Sequence, residues 1–117
     1  MPPSVKHYAT TLTSKADELL SNAWALEMDD LVSALNEIDS IQSSVNGNLT
    51  SEEAESFNKA MDTARVEILT LLRSIKVKDH DHRSFILTVN NAAKYLKGAA
   101  KVLLTLPPLL ISILSNA

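Results

Sequence analysis

A row of apolar residues spaced alternately by three and four occupies the middle of the sequence and constrains the fold more than any other feature. Its members are Ala54, Phe57, Met61, Ala64, Ile68, Leu71 and Ile75. On an α-helix this spacing places every member on one face, whereas a strand would need strict alternation. Thr50 and Glu53 precede the row at the spacing of a capping box. These features predict a helix over residues 51–75.

Three further rows of the same kind predict helices over residues 4–24, 28–45 and 83–104. A single helix through the first two rows would be about 60 Å long, and no later segment could cover it. We therefore predict a break near residues 25–30. Gly47 lies in the clearest turn and is expected to end the second helix in the left-handed conformation. Asp81 or a neighbouring residue is expected to cap the fourth helix.

Composition excludes most other architectures. Two glycines in 117 residues are too few for a P-loop, a dinucleotide fingerprint or a sandwich with many tight turns. The absence of cysteine excludes a disulfide scaffold, a thiol nucleophile and a zinc ribbon. The prediction is an all-α single domain over residues 1–117, an antiparallel four-helix bundle with a short apolar helix over 108–116, after Pro107 and Pro108.

The predicted core follows from the apolar faces of the four helices. It consists of Leu12, Leu19, Leu31, Leu35, Ile38, Phe57, Met61, Ile68, Leu71, Phe85, Val89, Leu96 and Leu103. Trp24 falls at the predicted break, where we expect a partly buried side chain that fills the corner of the bundle. The alternative for Trp24 is an anchor on a binding surface.

Charge is distributed unevenly along the chain. Residues 1–60 carry ten acids and three bases, whereas residues 61–117 carry four acids and eight bases. No acid follows Arg83, and no charged side chain follows Lys101. A basic stretch that leads into an uncharged apolar tail is typical of segments that contact membranes or partner helices.

The sequence offers little support for catalysis or for a cofactor. His80 and His82 lie in the one cluster of metal-type ligands, residues 79–82, but their spacing is poor for a helix and basic neighbours oppose a cation. A solvated loop that caps a helix is the preferred interpretation of this cluster. No nucleophile motif is present, and the small basic set lacks the interleaved aromatic residues of a nucleic-acid surface. We expect no enzyme activity, cofactor, metal, nucleic acid or small-molecule substrate.

One narrow side of the fourth helix is predicted to be basic. Asn90, Lys94, Lys97 and Lys101, here called the basic stripe, follow spacings of four, three and four, and Thr105 continues the row. The rest of the circumference is apolar and rich in alanine and glycine, which permit close helix approach. A narrow lysine stripe beside a wide apolar face is typical of interfacial membrane helices. The predicted membrane contacts are Lys94, Lys97, Lys101, Leu103, Leu104, Leu106, Leu109, Leu110, Ile111, Ile113 and Leu114.

The same pattern has a second interpretation. A central helix of a small bundle, or a helix at an oligomer interface, is also apolar over most of its circumference. The uncharged segment of residues 102–117 would be about 24 Å long as a helix, shorter than the roughly 30 Å hydrocarbon core. A simple tail anchor is therefore disfavoured. Without a signal peptide, the expected location is cytoplasmic, with possible recruitment to a membrane.

Residues 96–104, LKGAAKVLL, together with Pro107-Pro108-Leu109-Leu110, resemble the membrane-attacking helical domains of regulated cell death. These are the bacterial Bell domains, the fungal HeLo domains and the four-helix domain of necroptosis pseudokinases. The resemblance implies a non-enzymatic effector in cell death or defence that oligomerises and perturbs membranes, with membrane lipids and a protein partner or second copy as its contacts. The alternative is a soluble protein-interaction module, such as an adaptor, a chaperone or an immunity protein.

Overall fold

A computed structural model describes residues 5–77 and 81–105, and this part of the chain is almost entirely helical. The helices are α1 (Val5–Ser21), α2 (Met28–Val45), α3 (Ser51–Val77) and α4 (His82–Leu104), and a short 3₁₀ turn (Asn46–Asn48) follows α2. No strand occurs in these two ranges. The predicted all-α four-helix fold is confirmed, whereas the predicted helix over 108–116 lies outside the described residues.

The fourth helix is the central element of the bundle. It packs extensively against α1 and α3, whereas α2 packs against α3 and contacts α1 only slightly. Short connections make each helix antiparallel to the next one along the chain, and this alternation also makes α4 antiparallel to α1. Two sides of α4 are therefore covered by helices, and its remaining side is the one available for contact with other molecules.

The predicted core is confirmed at every position except Leu35. The other twelve residues are buried, whereas Leu35 is only partly buried and packs against the edge of the core. Ala34 takes the central place on α2 instead and is completely buried. Leu35 shares a helical row with Val32 and Asp39, which are exposed, so this row lies at the rim of the α2–α3 contact.

The break between the first two helices is confirmed, although α1 ends three residues earlier than predicted. The Asn22 N–H still donates to the Glu18 carbonyl at 3.1 Å, and the Ala25 N–H then closes a turn onto the Asn22 carbonyl at 2.8 Å. The second helix begins where the Asp30 carboxylate accepts a 2.8 Å hydrogen bond from the Glu27 N–H. The Asp30 side chain, in the first turn of α2, thus provides an acceptor for the N–H of the residue that precedes the helix.

The end of α2 differs from the prediction. Asn46 remains right-handed (φ −54°, ψ −39°), and the chain tightens into the 3₁₀ turn instead of reversing through a left-handed Gly47. The Leu49 N–H donates to the Asn46 carbonyl at 3.4 Å. Such i to i+3 bonds satisfy the last carbonyls of a helix without a positive φ.

The predicted cap residues Thr50 and Asp81 are confirmed, but of the predicted capping box only the Thr50 hydrogen bond forms among the described residues. Thr50 Oγ1 accepts a hydrogen bond from the Glu53 N–H at 3.3 Å. Asp81 Oδ2 accepts from the Ser84 N–H at 3.1 Å and from the Ser84 hydroxyl at 3.2 Å. Both side chains satisfy N–H groups that have no partner within their own helix.

Candidate binding surface on the fourth helix

The apolar face of α4 forms part of the bundle core. Its buried residues are Phe85, Val89, Ala92, Ala93, Leu96, Ala99, Ala100 and Leu103. The four alanines permit the close approach expected of small residues, whereas a Cβ placed at Gly98 would meet no atom within 4 Å. Leu103, a predicted membrane contact, is completely buried. In this packing α1 and α3 occupy the face that a membrane would otherwise contact.

The opposite side of α4 is exposed and basic. Asn90, Lys94, Lys97 and Lys101 all point to solvent, as their spacing predicts for one helical row. No acid occurs anywhere in α4, so no negative charge on this helix interrupts the row. The structure therefore brings the three predicted lysine contacts together on one open surface.

Two residues that the sequence analysis missed extend this surface. Arg83 and Leu87 precede Asn90 by seven and three residues and are also exposed, and the leucine side chain is 60% exposed. Leu104, a predicted contact, is 58% exposed at the other end of α4. The sequence contains a signal for both residues, because the spacing of three and four that relates the lysines of the basic stripe continues from Asn90 back to Leu87 and Arg83.

One lysine of the basic stripe already has an acidic partner. Lys97 Nζ lies 2.9 Å from Asp17 Oδ1 of α1, and both side chains remain about half exposed. Lys94 Nζ lies 5.7 Å from the ring centroid of its neighbour Tyr95. Within the described ranges, neither Lys94 nor Lys101 forms an ion pair with a carboxylate. These two lysines can therefore bind an external anionic group without first breaking an ion pair with a described carboxylate.

Trp24 lies at the end of the bundle where α4 begins. Its side chain is 71% exposed, so the prediction of a partly buried corner residue is wrong. The neighbouring Ala23 takes the inward position, with 7% of its surface exposed. The indole stacks against the imidazole of His82, with ring centroids 4.0 Å apart and ring planes inclined by 37°. The corner is therefore filled by a small side chain, and the large one lies on the surface.

The predicted candidate metal ligands are not brought together as a metal site within the described residues. His82 contacts Trp24, Asp81 caps α4, and His80 lies outside the described residues. Within residues 5–77 and 81–105, no three histidine or acidic side chains come together as a metal site would require.

Six of the predicted membrane contacts follow Thr105, the last described residue. Leu106, Leu109, Leu110, Ile111, Ile113 and Leu114 all lie outside the described residues. Across the ranges that the structure covers, none of the helices combines the length and the apolar character needed to cross a bilayer.

Comparison of the chain with protein-family models, with curated proteins and with solved structures found no match. Function is therefore inferred from the surface of the bundle itself. This surface carries the basic stripe, an exposed leucine beyond each end of the stripe, and the exposed Trp24 beside the first turn of α4.

Proposed function

We propose that this protein is a non-enzymatic helical module that binds anionic membranes through the exposed side of α4. The observation that carries the proposal is an acid-free row of exposed bases, Lys94, Lys97 and Lys101, flanked by the exposed side chains of Leu87 and Leu104. A lysine near an anionic lipid surface contributes about 1 kcal/mol. Three lysines therefore give weak, reversible binding that salt screens.

Binding in this form leaves the bundle closed. The apolar face of α4 stays against α1 and α3, and only the basic stripe and the exposed leucines contact lipid. Perturbation of the bilayer is a second step, in which α4 leaves its neighbours and exposes that face together with the six leucine and isoleucine residues of the segment 106–117. This order of events matches the resemblance to cell-death domains, so the proposed context is regulated cell death or defence.

Charge reversal in the basic stripe tests the binding step. We expect K94E/K97E/K101E to lower the affinity for phosphatidylserine-containing vesicles by at least about tenfold in co-sedimentation. The matched control is K6E/K59E/K76E, which changes the net charge equally at exposed lysines of α1 and α3. Equal losses in the two variants would show that only net charge matters and would overturn the assignment to α4.

Dye release tests the second step. We expect anionic vesicles to leak in the presence of the full chain and to remain sealed with a variant that ends at Thr105. Both proteins should bind, because the basic stripe is intact in each. Binding by the full chain without leakage would restrict the function to membrane association.

A protein-interaction module is the second candidate, and two observations favour it. The apolar face of α4 is buried in the core, as expected for a helix of a stable bundle. In addition, an open groove on α2 is lined by Asp29, Val32, Ser33, Asn36, Glu37 and Ser40. Failure to bind anionic vesicles at low salt, combined with concentration-dependent association in sedimentation velocity, would favour this candidate.

A further inference from the structure

The exposure of Trp24 is the least expected feature of this surface. Tryptophan is highly buried on average in folded proteins, and a large exposed apolar side chain is therefore informative. This is the single tryptophan of the chain, and it is 71% exposed. Its position is not explained by core packing, because Ala23 supplies the buried contact at this corner.

The linker holds Trp24 in a defined place. The Ala23 N–H donates to the Leu20 carbonyl at 3.4 Å, and the Ala25 N–H donates to the Asn22 carbonyl at 2.8 Å. The indole also contacts the imidazole of His82, and the two ring centroids lie 4.0 Å apart. The side chain is thus presented from a hydrogen-bonded turn and has one ring contact, with His82.

Trp24 also adjoins the basic surface of α4. A shallow groove is lined by Trp24, Asp81, His82, Arg83 and Ile86, so the indole and the Arg83 side chain border the same space. Arg83 begins the helical row that continues through Leu87 to the basic stripe. Among the described residues that line this groove, Asp81 is the one acid, and it caps α4 by accepting hydrogen bonds from the Ser84 N–H and hydroxyl.

From this continuity we infer that Trp24 is an interfacial anchor of the membrane-binding surface, with its indole at the level of the lipid headgroups. The inference rests on the proposed function and extends the contact surface from α4 to the linker between α1 and α2. An indole combines a large apolar ring with one N–H donor, and tryptophan is accordingly enriched at membrane–water interfaces. Arg83 supplies the attraction to anionic headgroups beside it.

The fluorescence of Trp24 tests the inference directly, because no other tryptophan contributes to the signal. We expect phosphatidylserine-containing vesicles to shift its emission to the blue and vesicles with brominated acyl chains to quench it. Phosphatidylcholine vesicles should do neither at low salt. Co-sedimentation with anionic vesicles without a blue shift or quenching would overturn the anchor while leaving the proposed function intact. Absence of any vesicle binding would overturn both.

A substitution provides the second measurement. We expect W24A to lower the affinity for anionic vesicles by about tenfold, the effect of losing one interfacial aromatic contact. The matched control is V66A, which removes apolar surface from a side chain of α3 that is 59% exposed. Both variants should retain the fold, since neither side chain is buried. An affinity of W24A equal to that of V66A would contradict the anchor.

Discussion

At the scale of single residues, Arg65 shows how a side chain fixes the position of two helices. Its guanidinium lies 2.6 Å from Asp39 of α2 and 2.7 Å from Asp62 of α3, and it also donates to Gln42. The Gln42 side chain donates in turn to Asn58 at 2.9 Å. Because Arg65 is only 28% exposed, these partners replace much of its hydration and define the alignment of α2 against α3.

We expect R65A to lower the free energy of unfolding by about 1–2 kcal/mol, the cost of removing a charge-assisted hydrogen-bond network at a partly exposed site. The cost stays moderate because Asp39 and Asp62 are more than half exposed and water can solvate them. Urea unfolding measures the difference. R73A is the control, since that exposed arginine has no described ion pair, and its effect should be within about 0.5 kcal/mol. Equal effects of the two substitutions would contradict a role for the network.

At the scale of elements, α4 has two sides with different roles. Leu96 is completely buried between helices, whereas Leu87, nine residues earlier on the same helix, is 60% exposed. The side of α4 that carries Leu96 belongs to the core, and the side that carries Leu87 belongs to the proposed binding surface. Substitution of one leucine on each side separates the two assignments.

We expect L96A to destabilise the bundle by about 2–4 kcal/mol, because it removes a fully buried side chain and leaves a cavity. L87A should change the stability by less than about 0.5 kcal/mol and should weaken binding to anionic vesicles. Urea unfolding and co-sedimentation provide the two measurements. A small loss of stability for L96A would show that the face of α4 is assigned incorrectly.

The sequence predicted the helices and their buried faces well, because the three- and four-residue spacing of apolar side chains reports helical faces directly. It failed where the outcome depends on tertiary packing. Leu35 fits its row as well as any residue, but the smaller Ala34 occupies the space nearest to the neighbouring helices. The exposed position of Trp24 could not be predicted either, because only the path of the linker decides whether Ala23 or Trp24 faces inward.

The candidate surface could be predicted only in part. The spacing of Lys94, Lys97 and Lys101 placed them correctly on one exposed row. Their partners remained unknown, because the contact of Lys97 with Asp17 joins residues that are far apart in the sequence. The stacking of Trp24 on His82 likewise joins distant segments. Such contacts follow from the packing of the helices and leave no periodic signal in the chain.

At the scale of the whole molecule, the acidic and basic halves of the chain meet where α1 contacts α4. Asp17 holds Lys97 in an ion pair on the surface, which is the kind of contact that an anionic lipid can replace. We expect D17N to tighten binding to anionic vesicles by up to about fivefold, since it frees one lysine of the basic stripe.

Asp29 provides the control for that prediction. It is an exposed acid of α2, a helix that packs against α3 rather than α4. D29N changes the net charge as D17N does but leaves the basic stripe unchanged. Vesicle titrations of both variants at equal salt distinguish a local effect on Lys97 from a general effect of charge. An equal gain in affinity for D29N would contradict the role of Asp17.

The central claim is that the closed bundle binds anionic membranes through charges on α4. Its most direct test is co-sedimentation of the wild-type chain with vesicles of phosphatidylcholine alone or mixed with phosphatidylserine, over a series of salt concentrations. We expect binding to the mixed vesicles at low salt, loss of that binding by about 0.5 M salt, and no binding to phosphatidylcholine alone. Equal binding to both kinds of vesicle, or no binding to either at low salt, would contradict it.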